Sequence, residues 1–240
     1  MPGAVSKAAL LAELRTRIRR LEGLGGDGGD QVLPLGVPVL DGALPDGGLP
    51  LGCLHEVTAE DRGAGTAFAA ALLARLAAAR GAPAVWIVRG RDLHAAGLAA
   101  YGLTPDRLIA VRAVRDADAL WAMEEALRCK GLSAVLGETG RLDLTAGRRL
   151  QLAAEAGGVT GLLLVDGGHT GVASVAVTRW HIAPAPSSAA PDEPGVGESR
   201  WRVDLLRCRG GHPGSWELGW RNGALACGAD IPAERFAAVA

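Results

Sequence analysis

Aromatic side chains are scarce in this 240-residue sequence, at 4% of the residues, whereas glycine occurs 35 times. So few rings argue against a binding surface lined with aromatic groups. Abundant glycine and alanine instead favour helices that pack closely on a sheet through small side chains. With 49% hydrophobic residues the chain can bury a substantial core. The composition predicts one large α/β domain with short appendages.

Net charge is also nearly absent: the formal charge is −1 and the isoelectric point is near 6.5. A protein that binds nucleic acid through a broad surface field needs an excess of lysine and arginine. Any contact of this chain with DNA must therefore be local or made through a partner protein.

Metal-binding and hydrolase motifs are missing as well. The cysteines are far apart, without a CxxC pair or a Cys/His zinc spacing, and we expect reduced structural thiols. They are Cys53, Cys129, Cys208 and Cys227. The five histidines form no HExxH pattern, and no serine lies in a GxSxG turn. We expect neither a metal nor a cofactor.

No segment has the apolar length of a signal peptide core or a membrane span, and a cytoplasmic location is expected. The N-terminal segment Ser6 to Glu22 has leucines on one helical face and arginines opposite, which predicts an amphipathic helix. That helix either packs on its own domain or serves as an arm for partner binding or polymerisation. The glycine-rich run Gly23 to Asp30 predicts a linker, so residues 1–30 form an arm ahead of a core at 31–228.

Short apolar strands alternate with helices through the first two thirds of the core. The predicted strands are Cys53–Val57, Ala84–Val88, Leu108–Val111, Ala134–Gly137 and Gly161–Val165. The predicted helices are Thr66–Arg80, Leu93–Tyr101, Ala117–Cys129 and Thr145–Ala156. Such alternation indicates right-handed βαβ crossovers and a mainly parallel central sheet.

After Val165 the alternation of strands and helices gives way to segments typical of antiparallel strands. They are Ala173–Ile182, Trp201–Arg207, Ser215–Arg221 and Ala224–Cys227, with an Asn222-Gly223 hairpin turn before the last. The Pro-, Ser- and Gly-rich stretch Pro184 to Glu198 predicts an exposed mobile loop. Residues 229–240 are assigned to a C-terminal tail.

A phosphate-binding loop would lie between the first predicted strand and its helix, over Thr58 to Gly65. Such a loop needs glycines to wrap phosphates, a lysine to reach them, and Ser or Thr to hold magnesium. Here Gly65 fits, but Glu60 takes the first glycine position, Thr66 replaces the lysine and Ala67 replaces the magnesium ligand. The candidate residues of this degenerate nucleotide loop are Arg62, Gly63, Gly65 and Thr66. We expect a turn kept for packing, with Arg62 substituting for the lysine only in part.

Two strands end in an acid that fits a magnesium-associated carboxylate, Glu138 and Asp166, but neither has a phosphate-loop partner. The strand end at Arg89-Gly90-Arg91 is basic and supplies no general base. A local basic cluster, Arg202, Arg207 and Arg209, suits either phosphate, DNA or an acidic partner; the alternative is a row of charges guarding a sheet edge.

The stretch Leu33 to Val57 resembles the approach of RecA to its phosphate loop, and further segments resemble the ImuA family of RecA-like mutagenesis proteins. The first match is carried by Leu40, Asp41, Gly47, Gly48, Leu49, Pro50 and Gly52. Later matches are Ala119–Leu127, Leu142–Ala153, Arg200–Val203, Leu205–Gly211 and Pro213–Leu218. Together they span roughly Leu33 to Leu225.

The resemblance implies a RecA-like core. It also implies an SOS-induced accessory protein of mutagenic translesion DNA synthesis. The substituted residues of the phosphate loop add the expectation that this protein has no catalysis of its own. Its expected partner is an ImuB-like Y-family protein and, through it, RecA and an error-prone DnaE-type polymerase. In RecA the stretch similar to Leu206–Arg209 reaches the nucleotide of a neighbouring subunit, which implies an interface or DNA role for Arg207 and Arg209. Weak binding of single-stranded DNA and self-association remain open.

Two other hypotheses stay open at this stage. One is a weak or atypical ATPase of the RecA superfamily that uses Arg62 and Glu138. The other is a cell-division inhibitor, suggested only by the SulA label that some similar sequences carry.

Overall fold

A nine-stranded mixed sheet dominates the computed structural model, which describes residues 32–91, 93–140, 142–166, 174–188 and 197–227. The strands are β1 (Val32–Leu33), β2 (Leu49–Pro50), β3 (Leu54–Ala59), β4 (Ala84–Val88), β5 (Leu108–Arg112), β6 (Ala134–Thr139), β7 (Thr160–Val165), β8 (Thr178–Ser188), β9 (Glu198–Cys208), β10 (Gly214–Arg221) and β11 (Ala224–Cys227). The helices are α1 (Pro38–Asp41), α2 (Arg62–Arg80), α3 (Ala95–Ala99), α4 (Asp116–Leu127) and α5 (Leu144–Gly157).

The strand order of the large sheet is β11-β10-β9-β8-β3-β7-β6-β4-β5. Neighbours from β5 across to β8 pair in parallel, and β8, β9, β10 and β11 pair antiparallel. This confirms the predicted α/β class with a mainly parallel sheet and antiparallel C-terminal strands. The predicted N-terminal helix and the C-terminal tail lie outside the described residues.

Helices cover the parallel part of the sheet on both faces. The side chains of Phe68 and Leu72 on α2 and Leu98 on α3 belong to one buried cluster, together with Trp86 and Trp180 of the sheet. On the other face, α4 and α5 contribute to a second cluster, which includes Met123, Leu127, Leu150 and Ala154. Because helices cover both faces of the parallel sheet, the side chains on both faces of its strands are buried. This explains why the sequences of these strands are continuous apolar runs.

A small ribbon of β1 and β2 closes the amino end of the core. The Asp41 carboxylate accepts hydrogen bonds from the backbone N–H groups of Leu35 (2.6 Å) and Gly36 (2.9 Å), and so fixes the turn between β1 and α1. A Cβ on Gly48 would lie 2.7 Å from the backbone of Leu33, so glycine is needed where the two strands meet. These contacts explain the roles of Asp41 and Gly48 in the Leu-Asp and Gly-Gly-Leu-Pro motifs of this segment.

The prediction of a loop from Pro184 to Glu198 is wrong at both ends. Strand β8 continues to Ser188 and β9 begins at Glu198, with Pro184 opposite Trp201 and a register irregularity between Ala185 and Ser188. Proline interrupts a strand only where its missing N–H is needed, and long antiparallel pairing with β9 outweighs the local composition. Residues 189–196 lie outside the described chain. Strand β8 also starts at Thr178, later than the predicted Ala173.

The prediction that α2 starts at Thr66 is wrong by one turn. The helix begins at Arg62, and β3 runs to Ala59, so the predicted eight-residue loop shortens to Glu60 and Asp61. The cause is an Asp61 N-cap, which competes with an extended loop.

Among the helices that the structure describes, none has both the length and the hydrophobicity to cross a membrane.

Candidate functional site

The turn between β3 and α2 holds a carboxylate of the chain itself at the helix N-terminus. Asp61 has extended backbone angles, and its side chain accepts a 2.9 Å hydrogen bond from the Ala64 N–H. The free N–H groups and the helix dipole make this end of a helix attractive to anions. The same groups hold phosphate in a nucleotide-binding loop. Here Asp61 already satisfies one of these donors and brings a negative charge to the position.

The glycines of the predicted loop lie inside the first turn of α2. A Cβ on Gly65 would lie 2.7 Å from the Ala59 Cβ and 3.4 Å from the Leu164 Cδ1, so this buried glycine lets the helix approach the sheet. A Cβ on Gly63 would lie 3.1 Å from the Asp61 Oδ1. Gly65 thus has a packing role that does not depend on a ligand.

Glu138, at the carboxyl end of β6, accepts hydrogen bonds at both of its oxygens. The Trp86 indole N–H donates at 2.9 Å to Oε1, while Arg62 (3.1 Å) and the Arg89 backbone N–H (3.3 Å) donate to Oε2. The residue is 7% exposed. Buried carboxylates are stable only when they are paired and hydrogen-bonded, and these three donors meet that need.

Arg89 links two acids at the carboxyl end of the sheet. Its guanidinium lies 3.2 Å from an Asp116 oxygen and 3.5 Å from an Asp166 oxygen. Asp116 opens helix α4 and Asp166 follows β7. The basic strand end that the sequence identifies therefore engages the second of the two candidate magnesium carboxylates.

A groove of about 360 Å³ opens beside these groups, between the start of α2 and helix α3. Its polar wall is Arg62, Thr66 and Glu138, and its opposite wall includes Leu93, His94 and Tyr101. His94 caps α3 by accepting a 3.1 Å hydrogen bond from the Gly97 N–H. The groove follows the carboxyl ends of parallel strands, where ligands bind in open α/β sheets. Within the described residues, no group of three or more His, Cys, Asp or Glu side chains is arranged to hold a metal ion.

Arg202 lies close to this turn. Its guanidinium is 2.8 Å from a Glu60 oxygen and 3.3 Å from an Asp204 oxygen. His181 faces the same Glu60 carboxylate at 3.7 Å, and Thr58 contacts the other ring nitrogen of His181 at 3.1 Å. Glu60 thus pairs across strands with a cation of the antiparallel part of the sheet.

Arg207 and Arg209 lie elsewhere, near the amino end of β3, because β9 runs antiparallel to β8. Arg207 donates a 2.8 Å hydrogen bond to the Ser174 carbonyl, and Arg209 donates to the Val175 carbonyl at 3.5 Å. Both arginines brace the segment that leads into β8. The structure therefore separates the three arginines: Arg202 lies beside the predicted loop, and Arg207 and Arg209 lie at the opposite end of the strands.

Three contributors to the site were not identified from the sequence: the Asp61 cap, the Trp86 donor and the bridge from Arg89 to Asp116. The first had a usable signal, because an aspartate ahead of a glycine- and alanine-rich helix start is a common N-cap. The other two join residues that are far apart in the chain, and no local pattern marks them.

Comparison with known proteins shows which family the chain belongs to. Protein ImuA from Caulobacter vibrioides (strain NA1000 / CB15N) is 46% identical to the chain over 201 residues, a region that covers 78% of this chain and 82% of that protein. The chain belongs to the ImuA family.

Protein ImuA from a second strain of the same organism (ATCC 19089 / CIP 103742 / CB 15) matches with the same identity and coverage. No protein-family model matches the sequence. Membership in the ImuA family confirms the resemblance that the sequence motifs indicated. Both comparisons cover about four fifths of each chain.

Proposed function

We propose that this ImuA-family protein is a non-catalytic accessory factor of SOS-induced mutagenic translesion DNA synthesis, acting in the cytoplasm. It binds an ImuB-like Y-family protein and thereby joins a complex with RecA and an error-prone DnaE-type polymerase. The observation that carries this proposal is the 46% identity to Protein ImuA over most of both chains.

The absence of catalysis is proposed from the chemistry of the β3–α2 turn. Asp61 occupies an N–H that a phosphate would use, and Glu60 places a second carboxylate next to it. Like charges at a helix N-terminus disfavour a bound anion. Glu138 is held by Trp86, Arg62 and Arg89, so that a magnesium ion would have to displace those donors.

An ATPase assay with the full chain tests this part of the proposal. We expect no magnesium-dependent ATP hydrolysis, with or without single-stranded DNA, under conditions in which a RecA-type ATPase is active. DNA-stimulated hydrolysis that disappears in Arg62→Ala and Glu138→Gln, but persists in the exposed control Arg107→Ala, would contradict it.

One observation favours the weak-ATPase alternative: the groove beside α2 is open and is bordered by Arg62, Thr66 and Glu138. A thermal-shift titration with ATP separates the hypotheses. Binding to the native state raises the unfolding temperature by mass action. We expect no shift with either ATP alone or ATP and magnesium; a saturable, magnesium-dependent rise would support the ATPase.

The partner proposal has its own experiment. We expect the chain to copurify with the ImuB-like protein of the same organism, and a deletion strain to lose DNA-damage-induced mutations without losing spontaneous ones. A deletion strain with unchanged induced mutagenesis would contradict the proposal. A strain whose division is blocked by overproduction of the chain would instead support the cell-division inhibitor.

We further propose that Arg207 and Arg209 contact an acidic partner face or weakly bind single-stranded DNA, and that Arg202, at the other end of β9, contributes a separate contact of the same kind. Arg207 is exposed, whereas Arg202 is already paired with Glu60 and Asp204. Arg207→Glu should weaken the contact, while Arg107→Glu, with the same charge change elsewhere on the surface, should not. If DNA is the ligand, binding weakens steeply with added salt.

A further inference from the structure

Two large hydrophobic side chains are exposed on the surface of the helix pair α4 and α5. Trp121 on α4 is 64% exposed and Leu152 on α5 is 63% exposed. Glu124 and Arg149 meet at 2.5 Å across the groove between the two helices. Each hydrophobic residue lies one helical turn from its own helix's member of this ion pair, so both border the groove. Exposed apolar patches mark binding sites, and tryptophan is enriched among the side chains that dominate them.

The α4 wall of this groove is acidic. Between Asp116 and Leu127 the helix has four acidic residues and neither lysine nor arginine. One of the four, Glu124, is neutralised by its ion pairs with Arg128 and Arg149. The groove also ends at the carboxyl ends of two helices, whose carbonyl groups carry a partial negative charge. A segment that fits this groove therefore needs an apolar stripe accompanied by basic residues.

The N-terminal segment Ser6–Glu22, which lies outside the described residues, has this chemistry in its sequence. Its pattern predicts a helix with one apolar stripe. It carries five basic and two acidic residues, a net charge of +3, which leaves the rest of this −1 chain at −4. Opposite charges therefore favour contact between the segment and the core. The stripe consists of Leu10, Leu11, Leu14, Ile18 and Leu21, and the basic residues are Lys7, Arg15, Arg17, Arg19 and Arg20.

The chain enters the described structure near the carboxyl end of this groove. Val32, the first described residue, pairs with Pro50. Two residues further along, Gly52 packs on Gly158, the C-cap of α5: a Cβ on Gly52 would lie 3.6 Å from the Gly158 Cα. The glycine before this cap packs against the Leu127 carbonyl at the end of α4. The contacts thus lead from the start of β1 to the ends of both helices.

The lengths of the connection and of the segment both fit the groove. Nine residues, Gly23 to Gln31, separate the segment from Val32 and can span at most about 30 Å. As a helix, the 17 residues of Ser6–Glu22 are about 25 Å long, close to the roughly 21 Å of the 14-residue α5. A connection this short gives an effective concentration of about millimolar, which favours the groove of the same chain over that of a second copy.

We propose that Ser6–Glu22 docks as a helix into the groove between α4 and α5 of its own chain. The apolar stripe of the segment packs on Trp121 and Leu152 and removes both from water. Its arginines accompany the acidic wall of α4. The segment is then a cover of its own domain, and any partner protein that binds this groove must first displace it.

Hydrogen–deuterium exchange of the full-length protein, read by mass spectrometry, tests the docking. Backbone amides of Ser6–Glu22 should exchange at least about tenfold more slowly than those of an unstructured chain. Because the contact is within one chain, this protection should be the same over about a hundredfold range of protein concentration. Trp121→Asp, Leu152→Asp and Leu14→Asp should each abolish it, since each places a charge in the apolar contact.

Two matched variants separate docking from general effects of an added charge. Val39→Asp changes an exposed apolar residue of α1, and Thr16→Asp changes the polar face of the segment; both should keep the protection. Slow exchange of β3 and β6 in every variant checks that the core stays folded. Exchange of the segment at the rate of an unstructured chain, protection that grows with protein concentration, or protection that survives Trp121→Asp and Leu152→Asp would each overturn the proposal.

Discussion

Individual residues at the start of α2 have structural roles in the turn between β3 and α2. Asp61 supplies a carboxylate to the helix N-terminus, and Gly65 allows the helix to lie against Ala59 and Leu164. Both effects stabilise the strand–turn–helix unit without any ligand. Asp61 thus has a capping role in this turn, and Gly65 has a packing role.

The Gly65→Ala variant tests the packing role. Its added methyl group would lie 2.7 Å from the Ala59 Cβ, between a strand and a helix that cannot both move freely. We expect a loss of about 1–3 kcal/mol in the free energy of unfolding. The neighbouring Thr66→Ala change is the control and should cost less than about 1 kcal/mol by urea denaturation. Equal effects of the two substitutions would contradict the packing role.

His55, a buried histidine outside the site, is expected to make the free energy of unfolding depend on pH in the acid range. His55 is fully buried, with Nδ1 2.7 Å from the Thr178 hydroxyl and Nε2 2.9 Å from the Pro50 carbonyl. The Pro50 carbonyl only accepts, so Nε2 carries the proton and Nδ1 accepts from Thr178. Burial lowers the pKa of His55 from 6.5 to about 4, because the charged ring would lose its hydration.

This shift predicts a pH dependence of stability. Between pH 6.5 and about 4 the unfolded chain binds a proton that the folded chain does not, so stability is present above pH 6.5 and falls as the pH drops through this window. The loss amounts to at most about 3 kcal/mol. In urea titrations His55→Gln should show a flatter pH profile, whereas the exposed His212→Gln should keep the wild-type slope. A wild-type slope in His55→Gln would disprove the assignment.

At the scale of elements, helices α4 and α5 meet through glycine. A Cβ on Gly157 would overlap the Leu127 carbonyl oxygen, and one on Gly137 would lie 2.7 Å from the Met123 sulfur. Small residues therefore let the helices approach each other and the sheet closely. At the more exposed rim of this pair, Glu124 bridges Arg128 of its own helix (2.6 Å) and Arg149 of α5 (2.5 Å).

Adjacent glycines at the end of α5 provide a matched test. Gly157→Ala inserts a methyl group against backbone, and we expect it to lower the free energy of unfolding by about 3 kcal/mol or more. Gly158 caps the helix at a φ of 63° with open space around its Cα. Gly158→Ala should cost only the backbone strain of about 1–2 kcal/mol. Unfolding in urea checks the prediction: the midpoint of Gly157→Ala should lie at a lower urea concentration than that of Gly158→Ala. The reverse order would refute it.

Over the whole molecule, one sheet joins two unlike halves. Helices cover its parallel strands on both faces, whereas the antiparallel strands carry paired charges on one face, including Arg200 with Glu217 (2.9 Å) and Glu60 with Arg202 (2.8 Å). Such partly exposed pairs contribute about 0–1 kcal/mol each. They balance the surface charge more than they stabilise the fold, in keeping with the formal charge of −1.

The shared sheet predicts cooperative unfolding. Four of the six tryptophans lie on the antiparallel strands β8, β9 and β10, so fluorescence reports mainly on that half, while circular dichroism reports on the helices that cover the parallel strands. These four are Trp180, Trp201, Trp216 and Trp220. Because both hydrophobic clusters are built on the same strands, we expect the fluorescence and dichroism transitions in urea to coincide. A separate early fluorescence transition would show instead that the antiparallel half unfolds on its own.

The sequence by itself determined the α/β class, the change to antiparallel strands and the residue types missing from the predicted phosphate loop. Periodicity encodes the first two locally, and Glu60, Thr66 and Ala67 lack the required chemistry in any fold. Only the tertiary structure decided that Trp86 and Arg62 hold Glu138, and that Arg202 contacts Glu60 while Arg207 lies at the other end of the strand. Trp86 and Glu138 are 52 residues apart, and their contact depends on β4 and β6 being neighbours in the sheet. Strand order arises from the packing of the whole chain, which no local pattern specifies.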